Sequence, residues 1–409
     1  MNALFSRLQW LLDWFLLPLL ALLTVSILAV SAELSARALF PVAENGIENC
    51  FEKNDPSGNA PPKPNSVCSE RLAEGTSLAE YKFNACGHRA GMQCGPKAPG
   101  SYRIVMIGSS FAMGLFTPRE KTFAALLPAE LSTQAGRPIE LYNEARGGKF
   151  RGGPFPLPDS AAHFKEVLAA QPDMILWVIT PMDLENASAE DPAQVANAPV
   201  KSVVSTESEP KPSANLWNKL TGSIADGTLE SRLRNRWEQT RSSLVLKHLL
   251  LTNESPDEYV SSYVKNVDNA AFLKTQPSLT WQRSLRNFQN VAAQFESQAK
   301  AAGVPLLAVL VPNRVQAAMI SAGEWPSGLD PYKVDEDLRS MVESSGGTYI
   351  DILPELRKIA DPEKHYFPVD GHLDASGHQM IASLLAKKLA AVPDLRPAGK
   401  SLAALEKSR

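Results

Sequence analysis

The feature that most restricts this 409-residue chain is a run of short, β-branched apolar segments alternating with longer helical patterns. Arg103 to Gly108 reads RIVMIG, apolar without alternation and ending at glycine, as a strand buried on both faces does. Ile139 to Asn143, Met174 to Thr180, Pro305 to Val311 and Tyr349 to Ile352 give four further strands. Between them lie helical patterns. One starts near Thr122, a plausible N-cap, with Phe123, Leu126, Leu127 and Leu131 at helical spacing. Others cover Ser160 to Ala170, Leu279 to Ala302, Val334 to Ser345 and Gly377 to Ala391. Strands alternating with helices of ten or more residues predict an α/β fold with a parallel five-stranded sheet covered on both sides. Ligands of such sheets bind beyond the carboxyl ends of the strands, so chemistry is sought there.

The N-terminal part is of another kind. Trp14 to Ala32 holds no charged residue over nineteen positions and at helical rise extends about 28 Å, enough to cross a bilayer. Val30-Ser31-Ala32 has the small residues of a cleavage site, but the apolar run exceeds that of a signal peptide, so a retained single-pass anchor is expected. All four cysteines, Cys50, Cys68, Cys86 and Cys94, follow within 45 residues. An even, clustered set beyond an anchor predicts two disulfides and an extracytoplasmic body. A zinc site is the competing reading, disfavoured because no C-x-x-C pair is present. Arg7 before the apolar run gives a weak charge bias placing the N-terminus in the cytoplasm.

The expected organisation is a cytoplasmic stub and transmembrane anchor over residues 1–32, a cysteine-containing lead-in over 33–100, an α/β domain over 101–395, and a tail over 396–409. The domain carries an insertion at about 185–278. Its first part, Ala187 to Ala214, is rich in Ser, Pro, Glu and Ala and reads as mobile, whereas Leu216 to Leu251 has apolar spacing for one or two helices. With 41 basic against 44 acidic side chains, the formal net charge is −3. That lacks the basic excess of a phosphate-binding surface, so no nucleic-acid partner is expected.

Two strand-end loops carry candidate chemistry. Gly108-Ser109-Ser110-Phe111-Ala112-Met113-Gly114 follows the first strand, where a serine at a strand-to-helix turn projects its hydroxyl over the sheet beside free helix N–H groups. Serine at such a turn is also an ordinary cap residue. A nucleophile needs a base, and Asp370-Gly371-His372-Leu373-Asp374 precedes the last helix at the same sheet edge. His372 would be the base and Asp370 the residue that orients it; Asp374 reads as a turn or capping residue, and His378, inside the helix, as a packing or surface residue. Arg146 and Arg314 stand near strand ends as possible anion contacts and are not assigned to the site.

These residues resemble the SGNH (GDSL-type) hydrolase superfamily. The resemblance runs from about Tyr81 to Ala391 and includes Tyr81-Lys-Phe-Asn84-Ala-Cys-Gly87-His-Arg89, similar to a segment preceding the first strand in membrane-anchored members. It implies a flavodoxin-like three-layer α/β/α sandwich with Ser110 as nucleophile, His372 as base and Asp370 as acid. The acid lies two residues before the histidine, where many members have three. The implied oxyanion hole uses the Ser110 N–H and a glycine N–H at Gly148, with Gly147 the close second. The third block departs: Thr180-Pro181-Met182-Asp183 has methionine where the family has asparagine, and a thioether donates no hydrogen bond. Asn186 is a nearby substitute. Ser109 stands where the family has aspartate.

The resemblance thus implies a membrane-anchored, extracytoplasmic serine esterase that needs no metal or organic cofactor and acts on acyl esters, O-acetyl groups on carbohydrate among them. A polysaccharide O-acetyltransferase is the alternative within the same chemistry. Met182 and Ser109 also admit a different class, a catalytically degenerate binding or scaffold protein of an envelope assembly.

Overall fold

A computed structural model describes residues 12–41, 43–52, 61–76, 78–145, 160–187, 237, 240–265 and 270–395. The chain divides into two compact units. One comprises Met1–Val42, Arg71–Ser77 and Ser205–Leu251, the other Ala43–Glu70, Leu78–Val204 and Thr252–Arg409.

In the first unit, helix α1 (Leu17–Leu39) follows a π-helical turn at Leu12–Leu16. The continuous helical stretch Trp14–Leu39 is long and apolar enough to cross a membrane. The larger unit begins with an antiparallel hairpin of β1 (Val67–Glu70) and β2 (Ala79–Lys82), in register at Cys68 and Tyr81. Its cysteines pair as Cys50–Cys68 and Cys86–Cys94. The sequence left that pairing open. A lead-in too short to build its own apolar core is thereby cross-linked, which removes entropy from the unfolded chain by an amount of order 3 kcal/mol per bridge.

The sheet consists of β3 (Tyr102–Gly108), β4 (Ile139–Asn143), β5 (Met174–Ile179), β6 (Leu306–Leu310) and β7 (Thr348–Ile350). Its strands are all parallel, in spatial order β4-β3-β5-β6-β7. Counted within the sheet this is 2-1-3-4-5, the flavodoxin-like order, whose switch point falls between the first and third strands, here β3 and β5. Every residue of β5 and β6 is buried. Because neighbours along a strand face opposite sides, both faces of the sheet must be covered. The expected α/β class and five-stranded parallel sheet are therefore as read from sequence. β6 begins one residue late because Pro305 carries no N–H, and its carbonyl instead accepts from Ile175. The last strand stops at Ile350, since the chain turns at Asp351 into a short helix whose Leu353 N–H donates to the Asp351 carboxylate.

Covering the sheet are α2 (Ser110–Met113), α3 (Phe123–Ala135), α4 (Ser160–Ala169) and α5 (Pro181–Ala187). In the other unit stands α6 (Arg241–Leu251). The larger unit resumes with α7 (Pro256–Val264), α8 (Leu279–Ala301), α9 (Arg314–Ala322), α10 (Lys333–Ser344) and α11 (Ala375–Leu389). Trp177 of β5 stacks on Phe288 of α8, with centroids 5.0 Å apart, and meets Phe295 at 5.1 Å. This aromatic cluster fixes α8 over the sheet.

Helix α7 was not foreseen within the insertion; a reciprocal capping box between Ser255 and Glu258, with Pro256 at N1, starts it. Of the helical pattern expected over Leu216 to Leu251, the described part is α6. The expected mobile stretch Ala187 to Ala214 lies, after its first residue, outside the described residues, as do Arg146, Gly147 and Gly148. One cap is corrected. Helix α3 does start after Thr122, but the Thr122 hydroxyl donates to Arg119 O at 2.7 Å, and the Phe123 N–H donates to His378 Nδ1 at 3.3 Å instead. His378 is accordingly a buried packing residue. Burial holds its imidazole down to about 3, with the positive charge of Arg89 adding to that, so it is neutral in the folded chain.

Candidate active site

The switch point between β3 and β5 is where the serine turn stands. β3 ends at Gly108, and a Cβ there would meet Val178 O at 2.5 Å and the Ala112 Cβ at 2.8 Å. Only glycine lets the chain pass so close to β5 at φ 154° and turn at once into a helix. Ser109 is the extended N-cap, Ser110 opens the four-residue α2, and Gly114 closes it in the left-handed conformation at φ 76°. The N–H of the first helical residue has no intrahelical acceptor, which leaves the Ser110 N–H turned to the space before the helix.

The loop before α11 brings the histidine. Gly371, at φ 86°, permits a tight turn in which the Gly371 N–H donates to Phe367 O and the Phe367 N–H to His372 O at 2.8 Å. Asp374 caps α11, accepting from the Gly377 N–H at 2.8 Å, as read from sequence. In this frame His372 Nε2 stands 2.7 Å from Ser110 Oγ, and His372 Nδ1 stands 2.5 Å from Asp370 Oδ1. The same carboxylate oxygen accepts from the His372 backbone N–H at 3.1 Å. The ring lies against Phe111, centroids 4.7 Å apart, and meets Phe116 edge-on at 5.4 Å. Residues 262 positions apart in sequence thus form a serine–imidazole–carboxylate relay, with Ser110 only 5% exposed.

Behind the relay is a buried clamp supplied by the lead-in. Arg89 is 3% exposed, and its guanidinium donates to the carbonyls of Met113 and Gly114 at 2.7 Å each and of Thr117 at 2.7 Å, with Glu80 O at 3.2 Å. The group lies 4.1 Å over the Tyr81 ring. Burial lowers it to about 10, so it stays cationic at neutral pH. The Tyr81 hydroxyl accepts from the Phe116 N–H at 2.6 Å, and the Thr117 hydroxyl donates to Leu373 O at 3.3 Å. The loop that follows the serine and the residue next to the histidine are therefore tied together. His88, inside the Cys86–Cys94 loop with Arg89, pairs with the buried Glu144 at the end of β4. Asn143, the residue before it, donates to Ala112 O at 2.8 Å and accepts from the Ala145 N–H at 3.0 Å, bracing α2 from the other side. The sequence singled out Tyr81 to Arg89 without giving Arg89 a task. A buried arginine is signalled only by what it binds, and backbone carbonyls leave no side-chain pattern to read.

The third block contributes a carboxylate that sequence reading passed over. Asp183 Oδ2 accepts from the Thr180 N–H at 2.7 Å and the Thr180 hydroxyl at 2.9 Å, and its carboxyl also accepts from the Ser109 hydroxyl. Burial pushes Asp183 up to about 6, and the bonds from Thr180 and Ser109 offset that only in part. An acid whose folded value is raised favours the folded state below its unfolded value of 3.8 and loses that contribution as pH rises through about 6. Asp183→Asn is thus expected to raise Tm relative to the parent at pH 8, by an effect of order 1–3 kcal/mol, and to lose that advantage as pH falls from about 6 to below about 4. Equal Tm differences at both pH values would contradict it.

Met182 is 47% exposed at the start of α5 and offers no donor. Asn186 belongs to the same helix, its side chain outside the described residues. Arg314 is held by burial, stacking and a backbone carbonyl. It is 5% exposed, stacks 4.0 Å over Tyr259 and donates to Pro368 O at 2.5 Å, supporting the His372 loop from below. Among the described residues, no cluster of three or more His, Cys, Asp or Glu could hold a metal ion, and all four cysteines are in disulfides.

No family model matches the chain, and no curated protein matches it by sequence. Solved structures do match. One is a variant of an acetyl-xylooligosaccharide esterase from Geobacillus, 12% identical, covering 71% of this chain and 95% of that one, with a TM-score of 0.34. Another is a protein from Agrobacterium tumefaciens provisionally assigned as an arylesterase, 16% identical, covering 70% and 98%, with a TM-score of 0.32. At these scores the likeness carries no argument about activity, and the functional reading rests on the site itself.

Proposed function

We propose that this chain is a serine-dependent ester hydrolase of the SGNH type, with Ser110 as nucleophile, His372 as general base and Asp370 as the group that orients it. The observation that carries the reading is the relay, Ser110 Oγ to His372 Nε2 at 2.7 Å and His372 Nδ1 to Asp370 at 2.5 Å.

Ser110 Oγ attacks the acyl carbon while His372 Nε2 takes its proton, and the carbonyl electron pair moves onto oxygen. Asp370 holds the Nδ1 proton, which keeps Nε2 free to accept, and stabilises the imidazolium that forms. The Ser110 N–H meets the oxyanion, and the Gly148 N–H, outside the described residues, is the second donor. Collapse breaks the ester C–O bond, and the leaving alcohol departs with the proton from Nε2. Water then attacks the acyl-serine with His372 again as base, releasing the acid and restoring Ser110. No step requires a metal or organic cofactor.

The substrate class is an acyl ester on carbohydrate or another small alcohol, O-acetyl groups included. A sugar hydroxyl replacing water in the second half-reaction would make the same site an O-acetyltransferase. The body works outside the cytoplasmic membrane, held by α1. An apolar helix long enough to cross a bilayer and two disulfides support that placement. Met182, with no donor at the third-block position, favours the binding or scaffold reading instead. Turnover of p-nitrophenyl acetate by the purified full chain in detergent decides between them. Acetate release well above the buffer rate supports the hydrolase, and a folded protein without turnover leaves the scaffold.

A further inference from the structure

The first unit contains a second apolar surface besides α1. Helix α6 carries Leu246, Leu249 and Leu250 at positions i, i+3 and i+4, which lie on one face of a helix. They are 52%, 64% and 65% exposed, and Trp237 just before the helix is 49% exposed. Three adjacent leucines open to water cost burial free energy that an ordinary surface helix recovers by turning them inward. Ser243, the buried residue of the helix, stands on the same stripe at i with Leu246 at i+3 and Leu250 at i+7, so the side that packs at the start of α6 is open towards its end.

What covers the leucines follows from where α6 begins. Its first turn is fixed to the far end of α1: the Glu33 carboxylate accepts from the Ser242 N–H and hydroxyl at 2.8 Å each and from the Arg241 N–H at 3.2 Å. The Arg241 guanidinium donates to Phe40 O. Glu33 also pairs with Arg37 at 2.7 Å. Trp14 and Glu33 are nineteen residues apart, about 28 Å at helical rise against a hydrocarbon core of about 30 Å. With Trp14 in the aromatic belt of one leaflet, Glu33 and the start of α6 sit at the boundary of the other. The exposed leucines lie within eight residues of Ser242 along α6, and the end of α1 to which α6 is fixed also carries exposed leucines, Leu34 and Leu39. Arg37, 67% exposed, and Lys247 place cations at the level of the headgroups.

We infer that α6 is an interfacial helix, lying on the bilayer surface with Leu246, Leu249 and Leu250 inserted among the lipid chains of the leaflet that α1 leaves. The inference rests on the reading of α1 as a membrane anchor. α6 thereby adds a second point of contact, and residues at its level are held close to the lipid surface instead of swinging freely about one helix.

The test uses the full chain in vesicles of phosphatidylethanolamine and phosphatidylglycerol. Because all four native cysteines are in disulfides, Leu249→Cys or Leu250→Cys supplies a single thiol for an environment-sensitive fluorophore. Blue-shifted emission, several-fold loss of intensity with nitroxide-labelled lipids and shielding from aqueous iodide are expected. Free access to iodide without lipid quenching would overturn the inference, as would shielding from both quenchers, which would place the leucines against protein. Flotation of the same vesicles reports α1 separately: protein that floats with unquenched labels rejects only the role of α6, and protein that fails to float rejects the anchor itself.

Discussion

Ser110→Ala is expected to reduce ester turnover by a factor of about 10⁴ or more while leaving the melting temperature close to that of the parent. The hydroxyl is the only group lost, and α2 keeps its backbone bonds, including those from the Gly114 N–H to Ser110 O and Phe111 O. Asp370→Asn should come near the same loss by another route. An asparagine turned to donate to His372 Nδ1 forces the proton onto Nε2, where it faces Ser110 and blocks acceptance of the hydroxyl proton. A fall of about 10³ to 10⁴ in kcat with little change in KM would mark that tautomer fault. If Asp370→Asn retained more than a tenth of parental kcat, orientation by Asp370 would be refuted.

The second large effect is structural. Arg89→Met should destabilise the protein by about 3 to 5 kcal/mol, because four carbonyls lose their donor inside a region without ready access to water. For a domain of this size that corresponds to a Tm lower by roughly 10 °C. Arg89→Lys should recover only part of it, since one ammonium cannot reproduce a planar fork that reaches Met113, Gly114 and Thr117 at once. Because Phe116 and Thr117 connect the serine loop to His372, the lysine variant is expected to lose kcat beyond what its stability accounts for, measured well below its Tm. Parental Tm in Arg89→Met would mean the clamp contributes nothing.

Much of the fold was legible because the strands of a doubly covered sheet are apolar on every residue, and β3, β5 and β6 show that pattern without a polar interruption beyond Arg103. Strand order was not in the pattern itself; it came with the resemblance carried by the serine and histidine loops. The spacing of Asp370 and His372 and the turn at Gly108 to Gly114 were readable since each is a local sequence feature. What stayed hidden is nonlocal. His378 as the acceptor for α3 joins residues 255 apart, and nothing near Thr122 announces it. Arg89 acts on carbonyls, which every sequence supplies equally. Asp183 was adjacent to the methionine that drew attention, but its burial and its bond from Ser109 depend on how β3 and β5 meet. The β1–β2 hairpin was missed because two four-residue strands separated by a long connection carry no hairpin signature.

The most direct test of the relay is the mass of the protein after incubation with a fluorophosphonate, which labels a serine only when a neighbouring base activates it. The account predicts one adduct per chain, on the peptide containing Ser110, absent from His372→Ala and from protein unfolded before exposure. An intact, folded chain that takes up no label, or that carries it on a serine other than Ser110, would contradict the assignment.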